Sequence, residues 1–184
     1  LSGFQDIERD HEARARFERA WGVAIRPHYG WHLTQMFHGM ERGELRTLYV
    51  IGENPAQSEA DIKHTRKLLS ALDFLVVQDI VLTKTAEMAD VVFPSAASWC
   101  ETDGTVTNSE RRVQRVRKAL APRGQARADS AIICDLAARL EARLGRPNSA
   151  GWDYPNAESV FREMANVATM LEGVTYARID KTGL

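Results

Sequence analysis

The residues best suited to chemistry stand at the ends of apolar runs. Phe74-Leu75-Val76-Val77 ends in Gln78-Asp79, Val91-Val92-Phe93 closes on Pro94-Ser95, and LRTLYVI (Leu45 to Ile51) runs into Gly52-Glu53-Asn54. If each run is a buried strand, polar groups stand at successive carboxyl ends, where the crevice of an open α/β sheet takes its ligands. An acidic residue there can accept hydrogen bonds from the two hydroxyls of a ribose. Backbone amides with Ser or Thr hydroxyls suit a pyrophosphate. This is nucleotide-site chemistry, although the chain has neither a G-x-G-x-x-G nor a G-x-x-x-x-G-K motif. Singly, each residue has a plainer role: Asp79 in a turn, Ser58 and Asp129 as helix N-caps. As a set on successive strand ends they point to a site.

Other chemistries find less support. No Ser/His/Asp or Cys/His set has workable spacing, so no catalytic residue is assigned. Cys100 and Cys134 lie far apart without C-x-x-C or Cys/His spacing and read as thiols of a reducing compartment, and no metal is assigned. His32 and His38 lie on or beside an apolar helical stripe, where packing or solvation is the commoner role. The basic segment Glu110 to Lys118 lacks the aromatic interleaving of a nucleic-acid surface. Its Arg111 and Arg112 suit an anionic cofactor, or pairing with Glu101 and Asp103. Lys and Arg number 24 against 25 Asp and Glu, a net charge of -1. That balance argues against nucleic acid and an anionic membrane as partners. No apolar run approaches the ~20 residues of a membrane span, and no signal-peptide pattern opens the chain, so a cytoplasmic location is expected.

The elements that must position these residues follow from periodicity. The 184 residues, 44% hydrophobic and 27% charged, suffice for one domain with a core. Gln5 to Ala20 reads as a solvated helix with a thin apolar side of Ile7, His11, Ala15 and Phe17. Leu33, Met36, Phe37 and Met40 form a helical stripe that Gly43 ends. After the strand at Leu45 to Ile51, Ser58 is expected to cap a helix carrying Glu59 and Asp61 in its first turn and burying Ile62, Leu68, Leu69 and Leu72. The strand at Phe74 to Val77 then completes a βαβ unit. A short helix or turn over Thr83 to Ala89 precedes the strand at Asp90 to Phe93. Ser95 to Glu110 reads as a long ordered loop, with Val113 and Val116 partly buried beyond it. Asp129 begins a helix with Ile132, Ile133, Leu136, Leu140 and Leu144 on one face and Gly145-Arg146-Pro147 as its stop. A last helix runs from about Ala157 to Val167, capped by Asn156, and Lys181 to Leu184 shows no structural close. The fold class is α/β, a Rossmann-like open, mostly parallel sheet with flanking helices. A chain that opens at Leu1 without Met is expected to be a piece of a longer protein.

Three strings carry a resemblance: GENPAQS (Gly52 to Ser58), FLVVQDIVLTKTAEMADVVFPSAASW (Phe74 to Trp99) and ETDGTVTNSERRVQRVRKA (Glu101 to Ala119). They resemble the molybdopterin-dependent oxidoreductases, and most of all the catalytic subunit of formate dehydrogenase. The resemblance implies a parent in which molybdenum or tungsten is held by two molybdopterin guanine dinucleotides, with an iron–sulfur cluster nearby. By the same resemblance that parent is expected to oxidise formate to CO2, with electrons leaving through iron–sulfur clusters to NAD. The piece in hand is then the domain that holds one guanine dinucleotide and is inactive by itself. Contacts to the nucleotide carry over to Gly52, Glu53, Asn54, Ser58, Gln78, Asp79, Ser95 and Asp129, with Asp79 or Asp129 suited to the adjacent N–H donors of guanine. The implied division is a helical lead-in over 1–44, the dinucleotide-binding domain over 45–147, and a helix and tail over 148–184. The implied partners are the remaining domains of the large subunit and the electron-transfer subunits of its complex. The family's metal-ligating Cys or selenocysteine and its cluster cysteines match nothing in this chain. A Lys common in nitrate reductases is replaced by Thr102, which favours formate dehydrogenase over an assimilatory nitrate reductase or another member. A stand-alone nucleotide-binding module is the alternative of another class.

Overall fold

A computed structural model describes residues 6–145 and 151–182. Their contacts separate two compact units. One consists of the described residues of Leu1–Tyr29, Ser98–Ala121 and Ser130–Leu184, the other of Gly30–Ala97 and Pro122–Asp129.

The second unit holds a three-stranded sheet: β1 (Thr47–Ile51), β2 (Phe74–Asp79) and β3 (Val91–Pro94), in that spatial order and all parallel. The expected βαβ pairing is therefore present. Helices α3 (Pro55–Ser58) and α4 (Ile62–Ser70) connect β1 to β2, while residues 80–90 connect β2 to β3 with a single 3-10 turn at Ala86–Met88. That short crossover is tied at both ends. Asp90 Oδ2 accepts the N–H of Leu75 at 2.7 Å, and Asn54 Oδ1 accepts both the N–H and the hydroxyl of Thr85. Leu75 and Val77 on the central strand are buried and form a core with Val50 and Ala86. Each of the Leu and Val side chains contributes about 1.5–3 kcal/mol. A neighbouring cluster of Met40, Ala56, Leu68 and Leu69 packs the helices, including α2 (Leu33–Glu41). Gly43, at φ 69, follows α2 in the left-handed conformation expected of its C-terminal glycine.

The first unit contains α1 (His11–Trp21), the antiparallel hairpin β4 (Gly104–Thr107) and β5 (Val113–Val116), most of α5 (Asp129–Arg143), α6 (Ala157–Val167) and α7 (Tyr176–Thr182). Its core joins Val113, Phe161, Ala168, Leu171, Tyr176 and Ile179. Asn156 caps α6 as expected, accepting the N–H of Ser159 at 2.9 Å.

Several expectations require correction. Ser58 does not cap the helix before β2. It ends α3, and its hydroxyl donates to the Asn54 carbonyl at 3.0 Å; the cap of α4 is Asp61, which accepts the N–H of His64 at 3.0 Å. Pro55 supplies the preset φ that starts the extra turn. Ile62 is consequently 38% exposed; Leu140 on α5 is also exposed (53%), as is Leu144 (69%) just past its end. The first helix starts at His11 because Asp10 accepts the N–H of Ala13, while Asp6 turns the preceding residues. The expected loop from Ser95 to Glu110 contains β4. The β-branched run Thr105-Val106-Thr107 pairs with β5, and Asn108 Oδ1 closes the turn by accepting from Glu110 and Arg112. Pairing of Arg111 or Arg112 with Glu101 or Asp103 is not formed, and Asp103 accepts the N–H of Lys118 instead. Lys181 and Thr182 close α7, a helix the sequence reading missed. Gln5, Arg146-Pro147 and Gly183-Leu184 lie outside the described residues.

Candidate functional site

The carboxyl edge of the sheet is built by backbone bonds that carry each strand slightly past its end. Gly52, at φ 65, turns β1 outward and donates its N–H to the Gln78 carbonyl at 2.9 Å. A residue with a Cβ is strained in that left-handed conformation, so glycine belongs there. Ser95 donates its N–H to the Asp79 carbonyl at 2.9 Å, and it also bridges in parallel to Arg127, two residues before Asp129. Asp129 thereby returns to the strand ends. Its Oδ1 accepts from Gln78 Nε2 at 2.6 Å, a bond across 51 residues of sequence. Gln78 is 0% exposed, and the hydroxyl of Tyr49 donates to its Oε1. Burial first, and then the charge of Asp129, push the Tyr49 hydroxyl above its ordinary pKa and keep it protonated.

The eight residues expected at the site therefore divide. Gly52, Gln78, Asp79, Ser95 and Asp129 form one hydrogen-bonded strand-end group. Asp79 is half-buried, and its Oδ1 accepts the N–H of Ile80 at 2.7 Å. The Ser95 hydroxyl is buried and has no hydrogen-bond partner among the described residues. Asn54 is occupied in the fold: its amide oxygen serves Thr85 and its Nδ2 donates to Gln57 Oε1 at 3.1 Å. Glu53 and Ser58 line a cavity of about 320 Å³ with Met36, Phe37, Met40 and Glu59. Tyr49 and Thr85 were missed by the sequence reading. Tyr49 left only the signal of one hydroxyl in a strand, and Thr85, 0% exposed, left none.

Chemically, this edge offers carboxylate acceptors beside a serine donor and a glycine turn, a set suited to a polar ligand with N–H or O–H donors. Among the described residues, no group of three or more His, Cys, Asp and Glu is arranged to hold a metal ion. Cys100 and Cys134 are half-buried thiols. No helix of the described residues is long and apolar enough to cross a membrane.

The family model described as "Molybdopterin oxidoreductase" matches residues 22–139. The "F420-dependent formate dehydrogenase subunit alpha" of Methanocaldococcus jannaschii is 43% identical over 183 residues, 99% of this chain and 25% of that protein. The "F420-dependent formate dehydrogenase 1 subunit alpha" of Methanococcus maripaludis is 40% identical over 184 residues, again 99% and 25%. The chain thus spans a quarter of the length of these relatives. Acetylene hydratase from Pelobacter acetylenicus shares the fold, with a TM-score of 0.60 at 21% identity over 98% of this chain and 24% of its own.

Proposed function

The chain belongs to the molybdopterin oxidoreductase family, and from that premise we propose that it is a segment of a formate dehydrogenase large subunit that holds a guanine dinucleotide arm of the cofactor. Membership implies a molybdenum or tungsten molybdopterin group, which supplies the redox chemistry when bound. The residues present fit its nucleotide end. The observation that carries the reading is the strand-end group, where Gln78 holds Asp129 at 2.6 Å beside the turn at Gly52 and the buried, unpartnered hydroxyl of Ser95. A carboxylate accepts from the adjacent N1–H and 2-amino donors of guanine, and a serine hydroxyl donates to phosphate. Asp79 is assigned to the ribose hydroxyls, and Glu53, Asn54 and Ser58 to the first turn around the phosphates. For Asn54 and Ser58 the contacts are through backbone atoms, since their side chains are engaged within the fold. All eight lie within 45–147, the stretch we assign to dinucleotide binding.

Formate oxidation, the iron–sulfur relay and reduction of NAD belong on this reading to other parts of a cytoplasmic parent. The two relatives compared above are formate dehydrogenase alpha subunits by name, which favours that substrate. Calorimetric titration of the chain with GDP and ADP tests the nucleotide reading. GDP is expected to bind more tightly, and Asp129→Asn to weaken it about tenfold, the loss of one charged hydrogen bond. Equal affinity for the two nucleotides, or an Asp129→Asn variant that binds GDP like the parent chain, overturns it.

A further inference from the structure

Tyr49 enters neither the family strings nor the strand-end set, yet it completes a side-chain chain at the sheet's edge. Its hydroxyl meets Gln78 Oε1, and Gln78 Nε2 meets Asp129 Oδ1 at 2.6 Å. Elementary hydrogen-bond chemistry fixes the direction of this chain. A carboxylate only accepts, so the amide must turn its NH2 group to Asp129. The amide oxygen is then left for Tyr49, and the phenol must donate. With Gln78 0% exposed, water offers the amide no substitute partner. Phe93 packs edge-on against the Tyr49 ring, centroids 6.3 Å apart, so β3 braces the donor. The Gln78 backbone is held in turn by the N–H of Gly52.

The geometry points to Tyr49 and Gln78 as positioning residues that fix the orientation of Asp129 for reading the base of a bound nucleotide, an inference that rests on the nucleotide reading above. One carboxylate oxygen is tied to a buried amide, which restricts rotation of the side chain. The other has no partner among the described residues, and with the spare lone pair of the first it forms a fixed acceptor edge. Guanine presents two adjacent donors to such an edge, hypoxanthine presents one, and adenine presents the lone pair of N1. A carboxylate held in place discriminates among the three more sharply than one that rotates, because the cost of ordering it has already been met in folding.

The test compares the chain with its Tyr49→Phe variant, which keeps the ring against Phe93 and removes only the donor. Affinities for GDP, IDP and ADP are measured by calorimetry, and the Gln78 side-chain amide is followed by 15N NMR without nucleotide. In the parent chain one Gln78 amide proton should resonate far downfield and exchange slowly, as a bond to a carboxylate requires. Tyr49→Phe should move that resonance and weaken GDP binding roughly fivefold, one hydrogen bond's worth, with ADP binding unchanged. A GDP to ADP ratio in Tyr49→Phe equal to the parent's overturns the positioning role and leaves the nucleotide reading standing. Equal losses for all three nucleotides overturn it too, since they describe a general loosening of the fold. Absence of any GDP preference in the parent chain removes the nucleotide reading, and the base-reading role with it. If Tyr49→Phe does not fold, Gln78→Met, which keeps the length without the amide, provides the same comparison.

Discussion

Ser95 and Tyr154 show at the scale of a residue how unequal a buried and a half-buried hydroxyl are. The Ser95 hydroxyl has no partner among the described residues, and an orphaned buried polar group costs about 1–3 kcal/mol. Ser95→Ala should therefore leave the thermal midpoint unchanged or raise it, while weakening GDP binding. A midpoint lowered by several degrees would show that the hydroxyl supports the fold. Tyr154 is the opposite case. Its hydroxyl donates to Glu163 at 2.7 Å, while the other oxygen of Glu163 accepts Trp21 Nε1 at 2.9 Å. Burial, followed by the Glu163 bond, pushes the Tyr154 pKa from 10.0 up to about 12. The folded state thus holds its proton longer than the unfolded chain does. Stability from this group is full below pH 10 and declines as pH rises from 10 to about 12. Urea midpoints across that window should fall less steeply for Tyr154→Phe than for the parent chain; parallel curves would contradict the assignment. At this scale the sequence was readable where a polar residue interrupts an apolar run, as at Gln78-Asp79 and Ser95. It did not single out Tyr49 or Thr85, whose partners lie 29 and 31 residues away. The polar role of such residues exists only after the chain has folded.

Among elements, the short crossover from β2 to β3 depends on one buried threonine. Thr85 Oγ1 donates to Asn54 Oδ1 at 2.9 Å and accepts the N–H of Ala56 at 3.0 Å, joining the turn after β1 to the 3-10 turn before β3. Thr85→Val keeps the shape and removes both bonds, leaving a buried N–H without its acceptor. The expected loss is about 2 kcal/mol, read from chemical denaturation. A loss under about 0.5 kcal/mol would mean that the two turns hold each other by packing alone. The parallel strands were legible because continuous apolar runs of Val, Leu and Phe are what a buried parallel sheet requires. The hairpin of β4 and β5 was not. Gly104 to Thr107 is only four residues long, and its turn is set by Asn108 Oδ1 accepting from the backbone of Glu110 and Arg112 rather than by a two-residue glycine signal. The misplaced cap has a similar cause: Ser58 and Asp61 are both good cap residues, and the helical turn begun by Pro55 decides between them.

For the whole molecule, the described surface does not match what a parallel sheet normally requires. Such sheets are covered on both faces, yet Ile51 and Phe74 are each 42% exposed and Val92 38%. Beyond β2 the run Ile80-Val81-Leu82 is exposed at 46%, 61% and 68%. Contiguous apolar exposure of this kind marks an interaction surface or an aggregation liability. On the function proposed above, the cover is the remainder of a longer large subunit, of which this chain would be a quarter by the length of the two relatives compared. The assignment predicts a separation between stability and stickiness. The chain by itself should enhance the fluorescence of a hydrophobic dye. Replacing Val81 and Leu82 together by Ser should reduce that signal, and the thermal midpoint should hold because surface side chains away from caps and networks contribute within about 0.5 kcal/mol. A double variant that melts substantially earlier would place these residues in a core the fold needs, and one that keeps full dye binding would move the sticky surface elsewhere. Because the same run leaves β2 directly after Gln78-Asp79, the double variant should also bind GDP as the parent chain does, which separates the covering surface from the nucleotide edge beside it.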